Sequence, residues 1–166
     1  MKKALFSATI IMVCALANAQ NYKQYTLFIF SFARYIQWPD AHNQGDFEIL
    51  VMGDSPLFEE LKTMAQQKKI GDRAIKVTKI SASAEIGKCN ILFIPAYRSD
   101  KIGEVLQKVD TRSVLVITEK TGLGAQGSCI NFITKEGKLV FELNQSALSK
   151  QNLKASIELT RMATMI

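Results

Sequence analysis

The sequence predicts an α/β fold: a mixed, largely parallel sheet flanked by helices, finished by a C-terminal β-hairpin and a terminal helix. Three observations carry that expectation. Segments of strand and helix character alternate through most of the chain. The strand segments FEILVM, NILFI and VLVIT are almost unbroken apolar runs, which suits strands covered on both faces. From Cys129 the alternation gives way to two strand segments joined by a short turn.

The elements follow in order. Tyr22 to Gln37 reads as a helix ending before Pro39, because the residue before a proline is pushed out of the α region. Tyr25, Phe28, Ile29, Phe32 and Ile36 form one face at helical spacing. Leu27, Phe30, Arg34 and Trp38 lie nearly opposite, so the helix is either sandwiched inside its domain or covered by another molecule. A polar loop, Asp40 to Asp46, leads to a strand at Phe47–Met52, closed by Gly53-Asp54-Ser55-Pro56. A helix is expected over Phe58–Lys68, then strands at Ile75–Ile80 and Asn90–Ile94. Ile102–Lys108 reads as a short helix and Val114–Thr118 as another buried strand. CINFI and KLVFELN flank Thr134-Lys135-Glu136-Gly137, a hairpin turn with its glycine late. A last helix is expected from about Leu153 to Ile166, with Ala155, Leu159, Met162, Ala163 and Ile166 on one face.

The first residues give an address. Lys2 and Lys3 precede an uncharged apolar stretch from Ala4 to Leu16, and Ala17-Asn18-Ala19 supplies small residues for a signal peptidase. Residues 1–19 are therefore expected to be a cleaved signal peptide, and 20–166 a single α/β domain working outside the cytoplasm. The apolar stretch falls short of the roughly 20 residues that span a bilayer. No later run is longer, so the mature chain should not itself span the membrane. Cleavage removes two lysines and takes the formal charge from +6 to +4. That mild excess is scattered, with no basic stripe interleaved with aromatics, which argues against a nucleic-acid partner.

The chemistry-bearing residues are few. Gly122, Gly124 and Gly127 spell G-x-G-x-x-G after a strand, but a dinucleotide site needs those glycines to open a helix. Here the following residues, SCINFI, are strand formers, so the glycines are read as a sharply bent loop rather than a cofactor site. His42 is the sole histidine, no His or Cys pair has metal-ligand spacing, and no nucleophile motif occurs. Neither catalytic residues, a metal nor a cofactor is expected, and the chain is not expected to be an enzyme. Cys89 and Cys129 survive processing; in an oxidising compartment they could pair, or each could be a small buried apolar residue beside a strand. Four residues are candidates for contact with a partner: Arg34 and Trp38 on the first helix, and Glu142 and Leu148 near the hairpin.

The segments FARYIQWP, GDSPLFEEL, CNILFIP, SVLVITE with its glycine loop, INFI and KLVFELN, in that order, resemble the YfiR (HmsC-like) family over about residues 22 to 166. The resemblance implies an exported α/β protein that binds and represses the periplasmic sensor region of an inner-membrane signalling protein. In the family that partner is a diguanylate cyclase controlling cyclic-di-GMP and biofilm; here it could be a histidine kinase. The resemblance also implies a homodimer. Better-known members carry more cysteines and use disulfides, whereas this chain keeps only Cys89 and Cys129. The competing expectation is a periplasmic small-ligand-binding protein, its glycine loop closing on a solute at the strand ends.

Overall fold

The structure, a computed structural model, describes residues 22–166; the expected signal peptide lies outside the described residues. The fold is the predicted mixed α/β sheet flanked by helices. Its larger sheet has eight strands, in the order Thr164–Met165, Lys138–Leu143, Ile130–Lys135, Leu115–Thr118, Ile91–Ile94, Phe47–Met52, Arg73–Ile80 and Lys69–Ile70 (β10-β8-β7-β6-β5-β2-β4-β3). The centre is built from β2 (Phe47–Met52), β4 (Arg73–Ile80), β5 (Ile91–Ile94) and β6 (Leu115–Thr118), all mutually parallel. Every residue of β5 and β6 is buried, which explains why their sequences show no polar alternation. The helix α2 (Leu57–Gln67) carries the chain from β2 to β4, and α3 (Ile102–Lys108) carries it from β5 to β6. These crossovers step outward from β2 and β5 in opposite directions, so right-handedness sets α2 and α3 on opposite faces.

Helix α1 covers residues 22–35 and lies across the hairpin of β7 (Ile130–Lys135) and β8 (Lys138–Leu143). Phe32 is fully buried against Phe141 (4.9 Å between ring centroids) and Phe132 (5.8 Å), and Tyr25 stacks on Phe132 at 4.2 Å. Burying each such ring contributes roughly 1.5–3 kcal/mol, so this aromatic cluster holds α1 on the sheet. The hairpin turn is tighter than the four residues expected from the sequence. Lys135 pairs with Lys138, and both Glu136 (φ 51°) and Gly137 (φ 74°) are left-handed, the two-residue turn whose twist matches its strands.

Three segments depart from the sequence reading. Helix α1 stops two residues early, because Ile36–Gln37 is extended as β1 and pairs antiparallel with Lys154–Ala155, β9. The Ser156 N–H completes the exchange by donating to the Tyr35 carbonyl. The terminal helix is also shorter than expected. Asn144 caps a six-residue helix α4 (Gln145–Lys150), accepting the Ala147 N–H at 2.9 Å. Asn152 then turns left-handed (φ 55°), β9 follows, and Ser156 caps α5 (Ile157–Met162). Thr164–Met165, β10, ends as a parallel edge strand on β8. Lys69–Ile70, β3, is a further short edge strand that the sequence did not announce.

Candidate functional site

The first helix presents one exposed face. Leu27 is 69% exposed, Phe30 is half-buried and Arg34 is exposed. The Arg34 guanidinium sits 5.8 Å from the ring centroids of both Phe30 and Tyr35, and it makes no ion pair among the described residues. A cation held over aromatic rings, with its charge unmatched, is suited to receiving a carboxylate. Trp38 does not belong to this face. It lies beyond the helix, 8% exposed, with its ring edge-on to Phe47 at 5.2 Å. Its indole Nε1 is buried without a hydrogen-bond partner. Arg34 and Trp38 nevertheless meet at one place: both line an open groove of about 770 Å³ between β1 and the β3–β4 turn. Arg73 forms the far wall, fixed by bonds from its guanidinium to the Gly45 and Asp46 carbonyls, each 2.8 Å.

Glu142 occupies a different environment. On the sheet face opposite Phe132, Thr118, Asn131, Glu142 and Thr164 stand in register across four strands. The buried Thr118 hydroxyl donates to Asn131 Oδ1 (2.7 Å), and Asn131 Nδ2 donates to Glu142 Oε2 (2.8 Å). Glu142 is thus half-buried and already hydrogen-bonded, the end of a polar row rather than a free surface charge. Leu148, on α4, is only 2% exposed; it packs in the core and offers no surface for a partner. The structure therefore keeps Arg34 at the surface, leaves Glu142 half-buried at the end of a hydrogen-bonded row, and places Trp38 and Leu148 inside.

The glycine loop closes over that polar row. Between Glu119 and Ser128 the chain runs through successive turns, with Gly122 (φ 88°) and Gly127 (φ 106°) in conformations that only glycine adopts freely. Gly124 has a different reason. A β-carbon there would lie 2.6 Å from both Glu142 Oε2 and Ile166 Cδ1, so the backbone itself packs against the side chains of Glu142 and Ile166. Leu123 is buried and Asn144 Nδ2 donates to the Gly124 carbonyl at 2.9 Å. No helix follows these glycines; the next element is β7.

Cys89 and Cys129 are both free and buried. Cys129 stands level with Val116 of β6, to which its N–H donates, while Cys89 precedes β5 on the far side of β6. Two strand spacings, about 10 Å, exceed the roughly 7 Å limit between bridged α-carbons. A Cys89–Cys129 disulfide would require dismantling the sheet centre. Burial pushes the Cys89 thiol up to about 12 and the Cys129 thiol up to about 11, which removes the thiolate that exchange chemistry needs.

One polar cluster was not singled out from the sequence. The chain reverses direction across the sheet between β2 and β5, and the carboxyl ends of such strands commonly receive ligands. There Glu119, after β6, accepts the Ala96 N–H at 3.0 Å and the Tyr22 hydroxyl at 3.5 Å. Burial raises the Glu119 carboxyl above its ordinary value of 4.5, and burial beside Glu119 likewise raises the Tyr25 hydroxyl. The sequence signal was faint: a lone glutamate after an apolar strand, and tyrosines that counted only as ring faces. Among the described residues no helix is long and apolar enough to cross a membrane.

Comparison with curated proteins returns no match. The YfiR/HmsC-like family model matches residues 22–164, nearly the whole described chain. The chain therefore belongs to the YfiR/HmsC-like family.

Proposed function

We propose that this protein is a periplasmic regulator that binds the outer region of an inner-membrane signalling protein and holds it in its inactive state. Membership of the YfiR/HmsC-like family carries the reading, and family membership supports a regulatory, non-catalytic role in the periplasm. The contact surface in this reading is the exposed stripe of α1, Leu27, Phe30 and Arg34, continued into the groove where Arg34 meets Trp38. An apolar residue beside an unmatched guanidinium on one helix face suits a partner surface carrying a carboxylate amid apolar side chains. Repression then follows from differential affinity: the regulator binds one conformation of its partner better and shifts the population toward it. The partner is a diguanylate cyclase or a histidine kinase, and the regulator acts as a homodimer. Deleting the gene should raise the output of the neighbouring membrane enzyme, and wild-type protein supplied in trans should restore repression. An output unchanged by deletion removes the proposal.

A second reading, a small-ligand-binding protein, draws on the Glu119, Tyr22 and Tyr25 cluster at the sheet's reversal point rather than on the glycine loop. It requires Glu119→Gln to abolish stabilisation by whichever metabolite raises the melting temperature.

A further inference from the structure

At the opposite end of the sheet, beside the amino ends of β5 and β6, lies a cavity of about 360 Å³ lined by His42, Gly87, Lys88, Cys89, Arg112 and Val114. Its volume falls within the range of small-molecule sites. Its lining is one-sided in charge. Three separate segments bring His42, Lys88 and Arg112 to it, and no carboxylate lines it. Neither Lys88 nor Arg112 makes an ion pair among the described residues.

A further observation points to a ligand. Arg112 stands between Thr111 (φ 55°) and Ser113 (φ 59°), two left-handed residues that are not glycine. Backbone strain of this kind gathers at ligand sites. Here the loop is held from behind, by the Arg112 N–H on the Val109 carbonyl and the Val114 N–H on Gln151 Oε1.

We propose that this cavity binds a small anion, a phosphate or phosphate monoester, between Lys88 and Arg112 with the His42 ring as a third donor. The apolar part of the lining, Cys89 and Val114, accommodates an organic body on that anion. The site is separate from the α1 surface and stands whether or not the regulatory reading holds. The ring charge answers to known neighbours: desolvation, Lys88 and Arg73 all hold His42 below its ordinary value of 6.5. Asn90 Nδ2 donates to the His42 carbonyl, and Glu48, the carboxylate whose charge reaches Cys89, is engaged with Lys76 at 3.3 Å. A bound anion opposes the two cations and must therefore raise the pKa of His42.

Because His42 is the only histidine, its ring signals can be followed by NMR without assignment of others. Mature protein is titrated with inorganic phosphate and with phenyl phosphate, ionic strength being held constant with chloride, since screening alone also relieves repulsion. The expected result is a saturable shift of the His42 ring signals and a rise in its pKa of about one unit with at least one probe. Arg112→Gln and Lys88→Gln, both at exposed positions, should each abolish the saturable shift while leaving the melting temperature in place. A response no larger than with chloride, or one that persists in both variants, overturns the proposal.

Discussion

The sequence offers Arg34 with Trp38 and Glu142 with Leu148 as candidates for contact with a partner, and the fold treats the two ends in opposite ways. At the first, the aromatic is buried and the charge is left unmatched, with Arg34 over two rings and Trp38 beneath the groove. At the second, the charge itself is absorbed, because Asn131 donates to Glu142 and the Gly124 backbone packs on it. A guanidinium with no partner must find one or stay hydrated, whereas a carboxylate already hydrogen-bonded to the core is a structural element. In the regulatory reading proposed above, the difference assigns recognition to α1 and architecture to the glycine loop.

The largest effects should come from the two residues the fold has taken inside. Trp38→Ala should cost about 3–5 kcal/mol and Leu148→Ala about 2–5 kcal/mol, read as lower midpoints in urea unfolding. Trp38→Phe should cost far less than Trp38→Ala, because the indole N–H has no bond to lose. If Trp38→Ala leaves stability intact, Trp38 belongs with Arg34 on the surface and the contrast between the two ends collapses. Next comes Gly124→Ala, whose new methyl must displace the Glu142 carboxylate and disturb its bond to Asn131, for about 1–2 kcal/mol. Combined with Glu142→Ala the loss should be less than additive, since the clash disappears with the carboxylate.

Two further effects complete the series. Above pH 9 the unfolded thiols ionise while the buried Cys89 and Cys129 stay protonated up to about 12 and 11. The folded state then binds more protons, so stability should fall as pH rises from 9 towards 11, and should fall less in a Cys89→Ala, Cys129→Ala variant. In the native protein at pH 8 both thiols should resist a disulfide reagent and react only on unfolding. Arg34→Glu should move stability by no more than about 0.5 kcal/mol, as exposed substitutions do, so any loss of control in that variant reports recognition alone.

The sheet centre was legible because continuous apolar runs leave few alternatives to buried parallel strands, and Phe47–Met52 and Ile102–Lys108 fall where the sequence placed them. The chain after Leu143 was not. Ala155, Leu159, Met162, Ala163 and Ile166 keep helical spacing, yet Lys154–Ala155 is drawn into a ladder with Ile36–Gln37. Pairing between segments more than a hundred residues apart leaves no local periodicity, and two-residue strands such as β3 and β10 leave even less. The candidate site divides the same way. Helical spacing set Leu27 and Arg34 opposite the core-facing stripe but left open whether that face was sandwiched inside the domain, whereas burial of Trp38 depended on where the chain turned after Tyr35. The role of Glu142 depended on its register with Asn131, which sequence alone does not fix.

The most direct test is calorimetric titration of the mature protein into the purified periplasmic region of the signalling protein encoded beside its gene. Saturable binding by wild type, weakened at least tenfold (about 1.4 kcal/mol) by Arg34→Glu and little changed by Glu142→Gln, is the result this account predicts. Absence of wild-type binding, or a loss confined to Glu142→Gln with Arg34→Glu unaffected, would contradict it.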